Sequence, residues 1–222
     1  MKINSFKSER GCLSYLLVQE NSKEALLIDP SEEIEDTAYL SELSSQGIEL
    51  RYIIETHTHA DHISSAPRLR EKTGAKLVRH KDAPSPLKDI AVSGGEVLML
   101  GEEKVHVITT PGHTNESISI STNGEVFTGD ALLIGGTGRT DFQLGDSESL
   151  YVSLHETLGA LPDETVVYPA HDYKGRLSTT IGDEKRTNPR FALSHDEFIV
   201  AMNAHHPPKP DLFEEAIEAN SK

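Results

Sequence analysis

Seven residues, Thr56-His57-Thr58-His59-Ala60-Asp61-His62, follow directly on an apolar run in which Leu50, Tyr52 and Ile54 alternate. Alternation with period two marks a half-buried strand, so three imidazoles and a carboxylate arrive together at one strand end. The pattern recurs: strand-like residues 105–109 lead to His113, residues 125–127 to Asp130, and residues 165–168 to His171. Side chains leaving a sheet along one rim converge, and loops on a rigid scaffold are where chemistry is placed. Imidazole and carboxylate together are the ligands of borderline metals such as zinc and iron. A single loop histidine is usually solvated; repetition behind four strands predicts a metal site and a sheet-rich fold built to hold it.

The remaining elements follow from the same patterns. Residues 3–6, 13–18 and 25–28 read as an antiparallel set, with turns at Gly11 and Asn21-Ser22. Asp29-Pro30-Ser31 is expected to stop the third strand and cap a helix ending at Gly47, and a second helix is expected from Ser64 to Gly74. Residues 76–78 form a short strand and 82–93 an irregular connection. Strands at 97–100 and 105–109 precede a hairpin about Asn123-Gly124. A glycine-bearing loop over 135–145 leads to a helix capped by Ser147 and carrying Leu150, Leu154 and Leu158. Short helices are expected near 196–202 and 212–219. Strands and helices do not alternate strictly, as a doubly wound sheet would require; two mixed sheets face to face with helices outside accommodate the order. No linker interrupts residues 1–222, so one domain is expected, with 176–222 packed on it.

Charge narrows the partners. The formal net charge is −15, with 36 acidic against 21 basic residues, which disfavours nucleic acid and anionic membranes. No run approaches a membrane span, and the first residues lack the grammar of a signal peptide. The lone Cys12 excludes an internal disulfide and fits a reducing compartment, so a cytoplasmic protein is expected. Cys12 borders the apolar residues 13–18 and reads as a small half-buried hydrophobe. His106 alternates with Val105 and Val107 and is expected to face outward; His205-His206, beside Pro207-Pro208, reads as a surface turn.

His57-x-His59-x-Asp61-His62, with His113, Asp130 and His171, resembles the ligand signature of the metallo-β-lactamase superfamily across residues 3–175. The resemblance implies an α+β fold, an αββα sandwich with its metal at one edge of the paired sheets. Within that superfamily, the runs Gly138-Arg139-Thr140-Asp141-Phe142-Gln143, Tyr168-Pro169-Ala170-His171-Asp172-Tyr173 and Glu184-Lys185-Arg186-Thr187-Asn188-Pro189-Arg190, with Lys209-Pro210, resemble the persulfide dioxygenase family. What it implies is an iron oxidoreductase that converts glutathione persulfide and dioxygen to sulfite and glutathione. One Fe(II) per chain would be held by His57, His113 and Asp130, with three coordination positions open. His59, Asp61, His62 and His171 would support those ligands or complete a second metal site.

For the substrate's carboxylates, Arg139 can offer a bidentate clamp and Tyr173 a phenolic hydrogen bond; the resemblance implies that both contact glutathione. Lys174 and Arg176 are further candidates for substrate contact. Family members commonly form dimers, so a homodimer is open to this chain. Members often carry a cysteine where Thr137 stands, so a thiol role there is absent. The alternative is a glyoxalase II-like hydrolase of glutathione thioesters, in which two metals activate water. Its members have a longer helical C-terminal part, whereas about 50 residues follow His171 here.

Overall fold

A computed structural model describes residues 1–222. The first sheet joins β1 (Lys2–Lys7), β2 (Leu13–Gln19), β3 (Glu24–Ile28), β4 (Glu49–Ile54), β5 (Lys76–His80) and β6 (Ile90–Val92), in that order. β1 to β3 are antiparallel, and β3 to β6 run parallel. The second sheet joins β7 (Val97–Leu100), β8 (Glu103–Thr109), β9 (Ile118–Thr122), β10 (Glu125–Gly129), β11 (Val166–Pro169) and β12 (Thr179–Thr180). Its only parallel pair is β10 with β11.

Three apolar layers explain why strands such as Leu13–Gln19 are buried on both faces. Between the sheets, Tyr15, Leu26, Ile54 and Val78 of one meet Leu100, Val105, Ile120 and Phe127 of the other. Outside the first sheet, Leu16, Leu27 and Ile53 pack on Tyr39 and Leu43 of α1 (Asp36–Gln46) and on Leu69 of α2 (Ala66–Thr73). Outside the second, Val126 and Val167 pack on Leu150 of α3 (Ser147–Val152) and on Leu154 and Leu158 of the π-helical turn Ser153–Leu158 that continues it. Ile181 of α4 (Ile181–Thr187) and Phe198 of α5 (His195–Asn203) complete that layer. The expected αββα sandwich is the architecture found. A last helix, α6 (Phe213–Asn220), follows, and no helix is long and apolar enough to cross a membrane.

Three local expectations are corrected, and one helix is added. Asp29 does not cap α1, which starts at Asp36. Instead Asp29 turns into the left-handed region (φ 47°) and accepts from Thr56 N and Thr56 Oγ1, both at 2.7 Å. The cap of α3 is Asp146, accepting from Ser149 N at 2.8 Å, rather than Ser147. Residues 82–93 include strand β6, because Ile90–Val92 finds a parallel edge on β5. Helix α4 was not expected from periodicity; it starts where the Thr180 side chain accepts from Asp183 N. His106 is exposed on β8 as expected.

Candidate metal centre

Parallel pairing sets Ile28 beside Ile54, so the chain leaves β3 and β4 at the same rim. Asp29, buried there, holds the start of the histidine loop. Thr56 Oγ1 donates its one proton to Asp29 and therefore accepts from His57 Nδ1 at 3.0 Å. This tautomer leaves His57 Nε2 bare, buried and without a protein partner. Burial, with His59 and His113 nearby, drives the His57 imidazolium far below its ordinary range. A neutral ring with a free lone pair is the form that binds metal.

His113 follows β8 and is oriented the same way. Its Nδ1 donates to the Arg139 carbonyl at 2.7 Å, and its Nε2 lies 3.6 Å from Asp130 Oδ2. Asp130 follows Gly129, whose φ of 55° suits glycine and whose added Cβ would stand 2.6 Å from Thr56 Oγ1. Gly138 permits the other approach: a Cβ there would lie 2.5 Å from the Asp130 carbonyl and 2.7 Å from His113 Nδ1. Ligand atoms of His57, His113 and Asp130 come within 4.8 Å of one another. Two imidazole nitrogens and a carboxylate oxygen are the donor set of non-haem iron sites, so the residues present fit that metal.

A second group stands beside this one. Ligand atoms of Cys12, Asp61, His62 and His171 also lie within 4.8 Å of one another. Asp61 Oδ2 accepts from His171 Nε2 at 2.8 Å, His62 Nδ1 at 3.1 Å and Cys12 Sγ at 3.2 Å. Through Nδ1, His171 also meets Asp130 Oδ1 at 2.6 Å. Burial opposes its charge, but these two carboxylates hold the His171 imidazolium well above the ordinary range. Burial likewise opposes charge on His62, yet Asp61 and Cys12 raise it to about 10. Burial would raise Asp61; His171 and His62 depress it far below the carboxylate range. His59 belongs to neither set but its ring lies between them, 4.2 Å from the His57 centroid and 4.3 Å from that of His62; its Nε2 lies 3.2 Å from Asp29 Oδ1, and burial lowers it to about 3.

Cys12 is therefore more than the apolar filler its surroundings suggested: it is buried, but its thiol faces Asp61. Other supports had no local signal. Glu116 accepts from Thr58 N at 2.8 Å, and Gln143 Nε2 donates to Thr58 O at 2.6 Å. Asn220, on α6, donates to the carbonyls of His59 and His62.

A cavity of about 590 Å³ opens over Asp61, His113, Asp130 and His171. Phe142 and Phe213 form an aromatic wall, with centroids 4.6 Å apart, and Lys209 Nζ lies 4.5 Å from the Phe213 centroid. Tyr173 lines the cavity, its ring nearly parallel to that of His171. Arg139 lines it too, with most of its guanidinium committed within the protein. Four of the five guanidinium N–H groups are already engaged, with both Asp141 oxygens, Pro207 O and Pro208 O. Lys174 and Arg176 are not among the lining residues; Arg176 folds back onto Asp172 and the Ile134 carbonyl. Arg10 and His205, not expected there, do line it.

Residues 8–171 match the family model of the metallo-beta-lactamase superfamily. The chain is 38% identical to the mitochondrial persulfide dioxygenase ETHE1 of Mus musculus, over 98% of this chain and 86% of that protein. The crystal structure of ETHE1 from Myxococcus xanthus is 41% identical and superposes with a TM-score of 0.96, covering 100% of this chain and 98% of that one. A hydroxyacylglutathione hydrolase of Polaromonas is more distant, 30% identical over 89% of this chain and 88% of that protein. The sandwich, the metal-ligand groups at its rim and near full-length similarity agree: this chain belongs to the persulfide dioxygenase family of the metallo-β-lactamase superfamily.

Proposed function

We propose that the protein oxidises glutathione persulfide with dioxygen and water to sulfite and glutathione, using one iron held by His57, His113 and Asp130. The observation that carries the reading is the first ligand group itself, two imidazoles and a carboxylate, which His171 links to the second through Asp130. The bare Nε2 of His57 faces a carboxylate and a second imidazole, whereas three donors of the neighbouring group converge on Asp61 Oδ2. When bound, iron would supply a redox-active centre with positions open to the persulfide sulfur and dioxygen.

The chain's own residues do the rest. Thr56 and the Arg139 carbonyl fix the tautomers of His57 and His113, and His171 holds Asp130 Oδ1 so that Oδ2 is left for the metal. Phe142, Phe213, Pro207 and Pro208 exclude water from one side of the cavity. The net charge of −15 makes local cations necessary for a substrate with two carboxylates. Arg10, Lys209 and the one remaining N–H of Arg139 supply them at the cavity wall, and the Tyr173 hydroxyl adds a neutral donor. A cytosolic setting belongs to this reading; the curated mammalian relatives are named mitochondrial.

The glyoxalase II-like alternative draws on the second group, whose Asp61, His62 and His171 are able to take a second metal beside the first. Turnover separates the two. The dioxygenase reading expects one dioxygen consumed per glutathione persulfide and no cleavage of S-lactoylglutathione. Thioester hydrolysis without oxygen uptake would replace it with the alternative.

A further inference from the structure

We infer that Asn220 is a positioning residue for the metal loop, clamping residues 59–64 from the far end of the chain. The loop between β4 and α2 is tied at its ends, by Ile118 N to Thr56 O, Glu32 N to Ile63 O and Ser65 N to Pro30 O, but the carbonyls of the buried residues His59 and His62 between them take no main-chain donor. Those carbonyls must be satisfied by something else. Asn220, itself 6% exposed, provides this with every polar atom it has. Its Nδ2 donates to His59 O and to His62 O, both at 2.9 Å, and its Oδ1 accepts from Ser64 N at 2.9 Å. These bonds span Asp61 and fix the peptide planes on either side of it. An asparagine offers two donors and an acceptor from one short side chain; an aspartate of the same shape would set a carboxylate against two carbonyls.

The clamp does not float. Asn220 is the last residue of α6, and Phe213 at the other end of that helix packs on Phe142 of the cavity wall. Arg139 ties the approach to the helix through Pro207 O and Pro208 O. Ser85 Oγ donates to the Lys222 carbonyl just beyond it. One segment thus forms a substrate wall at its start and grips the ligand loop at its end. Metal geometry and cavity shape are set by the same body.

The inference rests on the proposed ligand set His57, His113 and Asp130, and the test keeps the two apart. Asn220→Ala and the isosteric Asn220→Asp are compared with the wild type and with His113→Ala. Amide exchange of the metal-free proteins reads the clamp without metal. Residues 59–64 should exchange at least about tenfold faster in both Asn220 variants and at the wild-type rate in His113→Ala. Cobalt(II), standing in for iron, should bind the Asn220 variants about tenfold more weakly with altered visible bands, and kcat should fall by a similar factor. Unchanged exchange, or unchanged cobalt affinity and spectrum with only a lower melting temperature, would overturn the inference. Global loss of folding in both variants would overturn it equally, since the residue would then hold the fold rather than the loop. Loss of cobalt binding in His113→Ala, with loop exchange intact, assigns that failure to the ligand and not to the clamp.

Discussion

His171 Nδ1 lies 2.6 Å from Asp130 Oδ1, while its Nε2 lies 2.8 Å from Asp61 Oδ2. Both ring nitrogens donate, so His171 joins the two ligand groups as a cation between two carboxylates. Replacing it by alanine leaves Asp130 half-buried, with one oxygen unpaired and free to rotate. The expected result is a loss of iron affinity of about 10- to 100-fold, read by titrating the metal-free protein. Wild-type affinity in His171→Ala would show that Asp130 needs no such support.

Arg139 binds Asp141, Pro207 and Pro208 at once and lies 4.2 Å from the Phe142 centroid. A lysine retains the charge but lacks the planar fork that such an arrangement requires. In Arg139→Lys the segment carrying Pro207–Lys209 loosens, and the KM for glutathione persulfide rises by about tenfold, equivalent to about 1.4 kcal/mol. The kcat should move less than the KM. An unchanged KM would remove Arg139 from the construction of the cavity.

Away from the site, Asp36 accepts from Arg68 Nε and Nη2, both at 2.9 Å, and from Lys72 Nζ at 2.6 Å, tying α1 to α2. The Arg68 hydrogen bonds, opposed by burial and helped by Lys72, hold its carboxyl below the ordinary range. A folded value below the unfolded one means stability that is present above the ordinary carboxylate pKa and lost as pH falls through the depressed one. Both cations are about half exposed, so the contribution is about 1 kcal/mol. Urea unfolding should find Asp36→Asn weaker by that amount near pH 7 and closer to wild type near pH 3. A deficit that stays constant with pH would contradict the ion-pair account.

Much of the site was legible because local pattern carried it. His57, His113, Asp130 and His171 each follow a strand, and the sheets do bring those strand ends to one rim. The sandwich was legible for the same reason. What escaped are contacts between distant segments, which leave no periodic trace. Cys12 reads as apolar filler from its neighbours, and only the pairing of Cys12 with His171 across the sheets brings its thiol to Asp61. Asp29 looked like a helix cap because its one-residue context is that of a cap; parallel pairing of β3 with β4 turned its carboxylate to Thr56 instead. At Arg139, no local pattern reveals that the carbonyls of Pro207 and Pro208, 68 and 69 residues further on, already occupy its guanidinium.

The central claim is a single iron on His57, His113 and Asp130. Metal analysis of the active protein, paired with oxygen uptake on glutathione persulfide, tests it most directly. The account predicts one iron per chain, activity proportional to that iron, and loss of both iron and oxygen uptake in His113→Ala. Two metals per chain in a protein that takes up no dioxygen, or full activity in His113→Ala, would contradict it.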